Sequence, residues 1–249
     1  MNESNKRIEK GIFMEINLEQ IKEKIERRIK NRLEKIDWEI VFGLTEFYIA
    51  GNSLNIGKPN DLDLFPIRKN DFIKIKDLVF KNKFSIKSST KNALTIKHKD
   101  RIIQFCNYHF DSLEELVESF DFSHIKIGAK IFCNNGKIFS NDMYMSSDYI
   151  ESQVVGRTWF TGSSYPLSSL MRLFKYYKNE DGVFRQQFIY ESIKILNQII
   201  SRGMYSYKDF KEQLDAVDLG LVPEDFKELT KNNDVLSELF SLLKRGDNK

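Results

Sequence analysis

Two aspartates one residue apart, Asp61 and Asp63, stand in the apolar stretch DLDLFP at residues 61–66. On an extended strand alternate side chains share a face, so both carboxylates project to one side while Leu62 and Leu64 point to the other. Two carboxylates on one rigid element repel each other and are costly unless a cation is shared between them. Hard oxygen ligands at this spacing suit Mg²⁺, which takes one or two carboxylates and fills its shell with substrate phosphates and water. Two such ions about 4 Å apart activate an attacking oxygen and neutralise the leaving group in phosphoryl or nucleotidyl transfer. By itself Asp-x-Asp is a weak signal, since surface strands produce it by chance. The upstream turn strengthens it: Ile49-Ala50 run into Gly51, Asn52 and Ser53, which bring backbone N–H groups and a hydroxyl near the same edge, a nest suited to triphosphate oxygens.

These residues need rigid elements to hold them. The stretches EFYIAG and DLDLFP read as strands split by a loop containing Gly57, Pro59 and Asn60. Ahead of them, residues 17–37 carry Leu18, Ile21, Ile25, Ile29, Leu33 and Ile36 at 3- and 4-residue spacing, an amphipathic helix that packs on the core or binds a partner. After Pro66, Asn70 is the expected N-cap of a helix with a Phe72, Ile75, Leu78, Val79 stripe. NALTIKHK and RIIQFCNY read as strands joined by a hairpin at Lys99-Asp100. Ser112 and Glu115 form a capping box opening a short helix, and Asn135-Gly136 marks a second hairpin. Between about residues 145 and 165 the pattern turns helical: PLSSLMRLFKYYKNE, FRQQFIYESIKILNQIIS, SYKDFKEQLDAV and VPEDFKELTKNNDVLSELFSLLKR. The division expected is an α+β domain over 1–150, including the N-terminal helix, and a helical domain over 151–249.

Bulk composition is that of an ordinary folded chain. The 249 residues suffice for one or two domains, hydrophobic residues make up 41%, and only 4 prolines occur, which argues against disorder. A net charge of +3 does not announce a nucleic-acid coat protein. Its distribution is uneven: residues 68–101 hold 11 basic and 3 acidic side chains, so this segment carries +8 and the remainder −5. It is either a solvated lysine-rich face or a basic lobe that attracts a polyanion. Cys106 and Cys133 have no zinc-site spacing and read as reduced thiols. The N-terminus lacks the apolar core of a signal peptide and no run reaches the 18 apolar residues of a membrane span, so a cytoplasmic location is expected, in a cell or a phage-infected host.

Gly51-Asn52-Ser53, a loop of roughly ten residues, then Asn60-Asp61-Leu62-Asp63-Leu64 resembles the signature of the DNA polymerase β-like nucleotidyltransferase superfamily. The resemblance implies a mixed sheet with flanking helices followed by an all-helical C-terminal domain. It also implies two Mg²⁺ ions on Asp61 and Asp63, a third carboxylate on a neighbouring strand, and transfer of a nucleoside monophosphate from an NTP. The motif covers about residues 40–140. Two departures stand out. Asn52 replaces the usual Gly or Ser, which leaves Ser53 to contact phosphate, and the strand expected to bear the third acid carries Gln104, which cannot supply the same charge to a metal. A Gln-bearing strand followed by Phe-Asp is similar to phage and viral-type branches of the superfamily, which makes Asp121 the expected third ligand; the alternative is a loop aspartate capping backbone N–H groups.

In PLSSLMRLFKYYKNE, Arg172, Lys175 and Lys178 recur every three residues, as a solvated face or as contacts to the triphosphate or an RNA acceptor, with Tyr176 or Tyr177 stacking on a base. His124 is expected as a partly buried strand residue, and no Gly-x-Ser-x-Gly or P-loop occurs. The functional expectation is nucleotidyl transfer to an acceptor such as RNA, tRNA or protein, including a host-takeover role that modifies tRNA or protein. In it Asp61, Asp63 and Asp121 act as metal ligands, and Gly51, Asn52, Ser53, Arg172 and Lys175 as nucleotide contacts. The alternative is an inactive module of the same fold that binds nucleotide or RNA.

Overall fold

The computed structural model describes residues 18–34, 36–54, 61–99, 101–177, 184–203 and 213, without the side chains of 39, 40, 141, 171, 174, 175, 177, 184 and 185. Seven strands form one mixed sheet: β1 (Glu46–Ala50), β2 (Asp61–Pro66), β3 (Ser85–Ser89), β4 (Ala93–His98), β5 (Arg101–Cys106), β6 (Ile127–Asn134) and β7 (Lys137–Met145). Their order is β3-β4-β5-β2-β1-β6-β7, and β2 pairs parallel with β5 while the other neighbours run antiparallel. The strand carrying Asp61 and Asp63 is thus the centre of the sheet.

Alternation along β2 divides the sheet's faces. Leu62 and Leu64 enter the main core with Ile49, Leu94, Ile96, Ile103 and Phe105. Against that face pack α1 (Leu18–Leu33), α2 (Trp38–Phe42) and α3 (Asp71–Lys81), through Ile25, Ile29, Leu33, Trp38, Phe42, Phe72, Ile75 and Val79. α1 stops at Leu33 rather than near Asp37, because the Trp38 indole N–H bonds the Leu33 carbonyl at 3.0 Å and the chain turns there. The five-residue α2 was not expected, since so short an element shows no periodicity. Its Phe42 lies 5.0 Å from Phe105, ring centre to ring centre, so packing rather than propensity holds it.

Other expectations are met with local corrections. Asn70 precedes α3 but already has helical backbone angles and makes no side-chain cap bond. Ser112 does cap α4 (Leu113–Glu118): its hydroxyl accepts the Glu115 N–H at 3.0 Å, while Glu115 reaches back to the Asp111 N–H at 2.7 Å. Asn135 and Gly136, with φ of 50° and 72°, make the tight β6–β7 turn. The edge strand β3 escaped the sequence pattern because its residues alternate only weakly between solvent and half-burial, and its pairing with β4 is interrupted by a bulge between Ile86 and Ser88.

On the opposite face, α4 covers Tyr48, Ala50, Phe65 and Cys106 with Leu116. Then follow α5 (Ser147–Val155), α6 (Pro166–Tyr177) and α7 (Phe184–Ser201). Leu173, Ile195 and Ile199 of α6 and α7 form an apolar cluster that takes in Phe122, Ile125 and Phe160. The helices expected in SYKDFKEQLDAV and VPEDFKELTKNNDVLSELFSLLKR lie outside the described residues, apart from Gln213. Among the described residues no helix is long and apolar enough to cross a membrane.

The seat of α4 is tight. A Cβ on Gly128 would come within 2.8 Å of both Leu113 and Val117. Gly128→Ala is therefore expected to destabilise the fold by about 1–2 kcal/mol, read as a lower urea midpoint with an unchanged m-value.

Candidate active site

Asp61 and Asp63 share the β2 face opposite the main core, and both are partly exposed. Register places Asp63 beside Gln104 of β5 and Gln104 beside Thr95 of β4, one row across three strands. Gln104 donates through Nε2 to the Thr95 hydroxyl at 3.2 Å. The neutral amide thus occupies the strand position next to Asp63.

The turn after β1 is built into this row. Gly51 has φ of 74°, a backbone conformation that glycine adopts without strain, and it faces the Phe120 ring. Asn52 is half-buried beside it, and Ser53 is fully buried. The Ser53 Oγ accepts the Asp63 N–H at 2.7 Å and lies 3.5 Å from Asp63 Oδ2, to which it donates. Ser53 therefore acts on the site through Asp63, locking the turn to the strand.

From the other side α1 braces the same turn. Arg32 donates to the Ser53 carbonyl at 3.1 Å and to the Asp61 carbonyl at 3.4 Å, and Arg28 to the Leu54 carbonyl at 3.2 Å. Arg101 reaches the carbonyls of Arg32 and Asn31 at the end of α1. Burial, then the charges of Arg28 and Arg101, pull the Arg32 pKa down, with Asp61 and Asp63 opposing them. Sequence reading missed this role because it weighed the apolar stripe of α1; the available signal was that Arg28 and Arg32 flank that stripe on one side.

Asp121 stands in a second cluster. Its Oδ2 accepts from Ser169 Oγ and from Arg172 Nη1 of α6, each at 2.7 Å, while its Oδ1 is buried with no hydrogen-bond partner among the described residues. The Asp121 side chain is 1% exposed and that of Arg172 29%, so the arginine is the more open of the pair. Burial works against the Arg172 charge, but Asp121 first, then Tyr176, with a smaller contribution from Asp63, outweighs it and raises the pKa. Arg172 thus lies within the field of both clusters. Tyr176, one turn on, has its hydroxyl pKa raised by burial and by Asp121, with Asp63 and Asp61 adding to the shift. The side chain of Lys175 and all of Lys178 lie outside the described residues.

Mg²⁺ typically takes one or two protein carboxylates and completes its octahedron with phosphate and water. Asp61 and Asp63 fit that pattern for an ion shared with a triphosphate. Among the described residues no group of three His, Cys, Asp or Glu side chains is placed to hold a metal on protein ligands alone.

Next to Asp121, His124 packs edge-on to Tyr176 at 4.5 Å and bonds Thr158. Burial pushes its pKa down to about 4, against a smaller upward pull from Asp121. The folded state favours the neutral ring, so its stabilising contribution is complete above about pH 6.5 and is lost as pH falls toward 4. Denaturant melts across this range should show a decline of about 2–3 kcal/mol at most, flattened in His124→Asn. For the turn, Ser53→Ala leaves the Asp63 N–H without its acceptor and should lower stability by about 1–3 kcal/mol in urea unfolding.

Among solved structures the chain is similar to an apo form of a tRNA-processing enzyme, with a TM-score of 0.44 and 12% identity over 87% of this chain and 63% of that one. It is also similar to a tRNA nucleotidyltransferase complexed with a primer tRNA and an incoming ATP analogue (TM-score 0.40, 14% identity, 84% and 68% covered). A third is the Thermotoga maritima CCA-adding enzyme complexed with tRNA (TM-score 0.43, 11% identity, 81% and 50% covered). The chain thus spans 63% of the length of the first of these structures. No curated protein matches it. A family model described as Gad2, Gabija anti-defense 2 family protein, matches residues 19–153, from the start of α1 into α5.

Proposed function

The chain belongs to the Gabija anti-defense 2 family, and from that premise we propose that it is a Mg²⁺-dependent nucleotidyltransferase that moves a nucleoside monophosphate from an NTP to an RNA or protein acceptor. The observation that carries this reading is the pairing of Asp61 and Asp63 on one face of the central strand, with the Gly51–Ser53 turn locked to Asp63 by the Ser53 hydroxyl. Serving counter-defence, the transfer would act on a component of the defending host, which agrees with the family's name.

In this reading Asp61 and Asp63 hold the NTP-bound Mg²⁺. The ion supplies charge neutralisation on the phosphates and at the leaving pyrophosphate. Gly51 and Asn52 line the phosphate end of the site, and Ser53 keeps Asp63 oriented. Arg172, aimed by Asp121, offers its guanidinium to a phosphate oxygen, which suits a planar donor. Asp121 then contributes as the counter-charge of Arg172. A role for its unpartnered Oδ1 as the third metal ligand, and for Lys175 as a triphosphate contact, belongs to the same proposal.

A second reading has its own support. Gln104 fills the strand position beside Asp63, so a protein that binds nucleotide or RNA without turnover is the alternative. A labelled-NTP assay against total RNA and protein acceptors separates the two. Transfer should fall by at least about 10³-fold in Asp61→Asn and in Asp63→Asn, with melting points close to wild type. Full activity in both variants would sink the transferase reading, and Mg²⁺-dependent NTP binding without transfer to any acceptor would establish the second. Arg172→Lys keeps the charge but loses the bidentate geometry, and should raise the KM for NTP about tenfold or more.

A further inference from the structure

The charges of α1 are segregated by flank. One side of its buried Ile25-Ile29-Leu33 stripe carries Glu19, Lys22, Glu23, Glu26 and Lys30, with Lys22 paired to Glu19, while the other carries Gln20, Lys24, Arg27, Arg28 and Asn31, with no acid among them. The cationic flank is shaped as well as charged: Lys24, Arg27, Arg28, Asn31 and Arg32 line a groove of about 390 Å³. Lys24, Arg27 and Asn31 are exposed, and Arg28 and Arg32 are half-buried.

One end of the groove reaches the backbone at the start of the carboxylate strand. Arg32, at one end, bonds the Asp61 carbonyl, and Arg28 bonds the end of the 51–54 turn. Arg101 packs on the same end of α1, so the tract continues onto the edge of the basic 68–101 segment. Burial lowers the pKa of Arg32, and the neighbouring charges of Arg28 and Arg101 lower it further. Gathering like charges is unfavourable in the bare protein, and a bound polyanion would relieve the repulsion.

From this we infer that the α1 groove is a docking surface for the sugar-phosphate backbone of a single-stranded nucleic acid, which it leads to the Asp61–Asp63 edge. The inference deepens the transferase reading by naming RNA as the acceptor class, and that part of it rests on the reading. Length distinguishes an RNA strand from the NTP itself. From Arg32 back to Lys24 the cations extend for about 12 Å along the helix, at ~1.5 Å per residue, past the turn where one triphosphate would sit. Among the described residues the groove has no aromatic lining, so it would read backbone charge and not base identity.

The test measures binding of a fluorescein-labelled oligouridine by anisotropy across a KCl series, without NTP or Mg²⁺. Lys24→Glu with Arg27→Glu should weaken binding about tenfold or more and reduce the salt slope by about 0.7 for each phosphate that the variant no longer neutralises. Lys30→Glu makes the same charge change on the acidic flank as the single variant Arg27→Glu makes on the basic one, and should leave affinity within about twofold where Arg27→Glu weakens it. Circular dichroism melts check folding, and a Lys24→Gln with Arg27→Gln protein replaces the charge reversal should the latter unfold. Equal weakening by Lys30→Glu and Arg27→Glu, or no oligouridine binding by the wild type, would overturn the groove. So would poly-glutamate binding as tightly with the same sensitivity to Lys24 and Arg27, which would make the surface a dock for an acidic protein segment. If oligouridine binding follows the prediction but no NMP transfer occurs, the groove stands and the transferase reading fails.

Discussion

The carboxylates of Asp61 and Asp63 repel each other, and the protein must hold them on one strand face before any ligand arrives. The tie that does so runs through Ser53. Its hydroxyl accepts the Asp63 N–H at 2.7 Å and donates toward the Asp63 carboxylate at 3.5 Å, joining the turn after β1 to β2. Since β1 and β2 are neighbouring central strands, that bond couples the turn to the middle of the sheet. The arginine contacts from α1 to the Ser53, Leu54 and Asp61 carbonyls brace it from behind. Negative charge on the site strand is thus accompanied by cations fixed to main-chain oxygens on the α1 side.

A second balance involves Asp121 and Arg172. A carboxylate that is 1% exposed is too costly to bury alone, and the 2.7 Å bonds from Arg172 and Ser169 satisfy one of its oxygens. The pair therefore acts as a rigid post linking the approach to β6 with helix α6. Because Arg172 also feels Asp63, the helical half is electrically joined to the carboxylate site even though its apolar cluster is separate from the main core. Removing the Asp121 charge would free the guanidinium to move away from the position where a phosphate is expected.

Much of this was legible in the residues alone. The alternation in DLDLFP fixes Asp61 and Asp63 on one face and Leu62 and Leu64 on the other, because strand periodicity is a local property of the backbone. The Asn-Gly hairpin, the Ser112 cap and the long amphipathic helices follow from equally local rules. Elements held by distant contacts were not legible: α2 rests on Phe105, far along the chain, and β3 rests on β4 at a polar edge.

What the sequence determined by itself is the chemistry available: two same-face carboxylates behind a Gly-Asn-Ser turn, a glutamine where an acid would be expected, and a helix with its charges sorted by flank. Only the tertiary structure decided how those groups are partnered. It gave Ser53 to Asp63, Asp121 to Arg172 and the arginines of α1 to the turn carbonyls. The physical reason is that a side chain's face follows from the 2.0 or 3.6 repeat of its own element, whereas its hydrogen-bond partner depends on how elements far apart in the chain pack together.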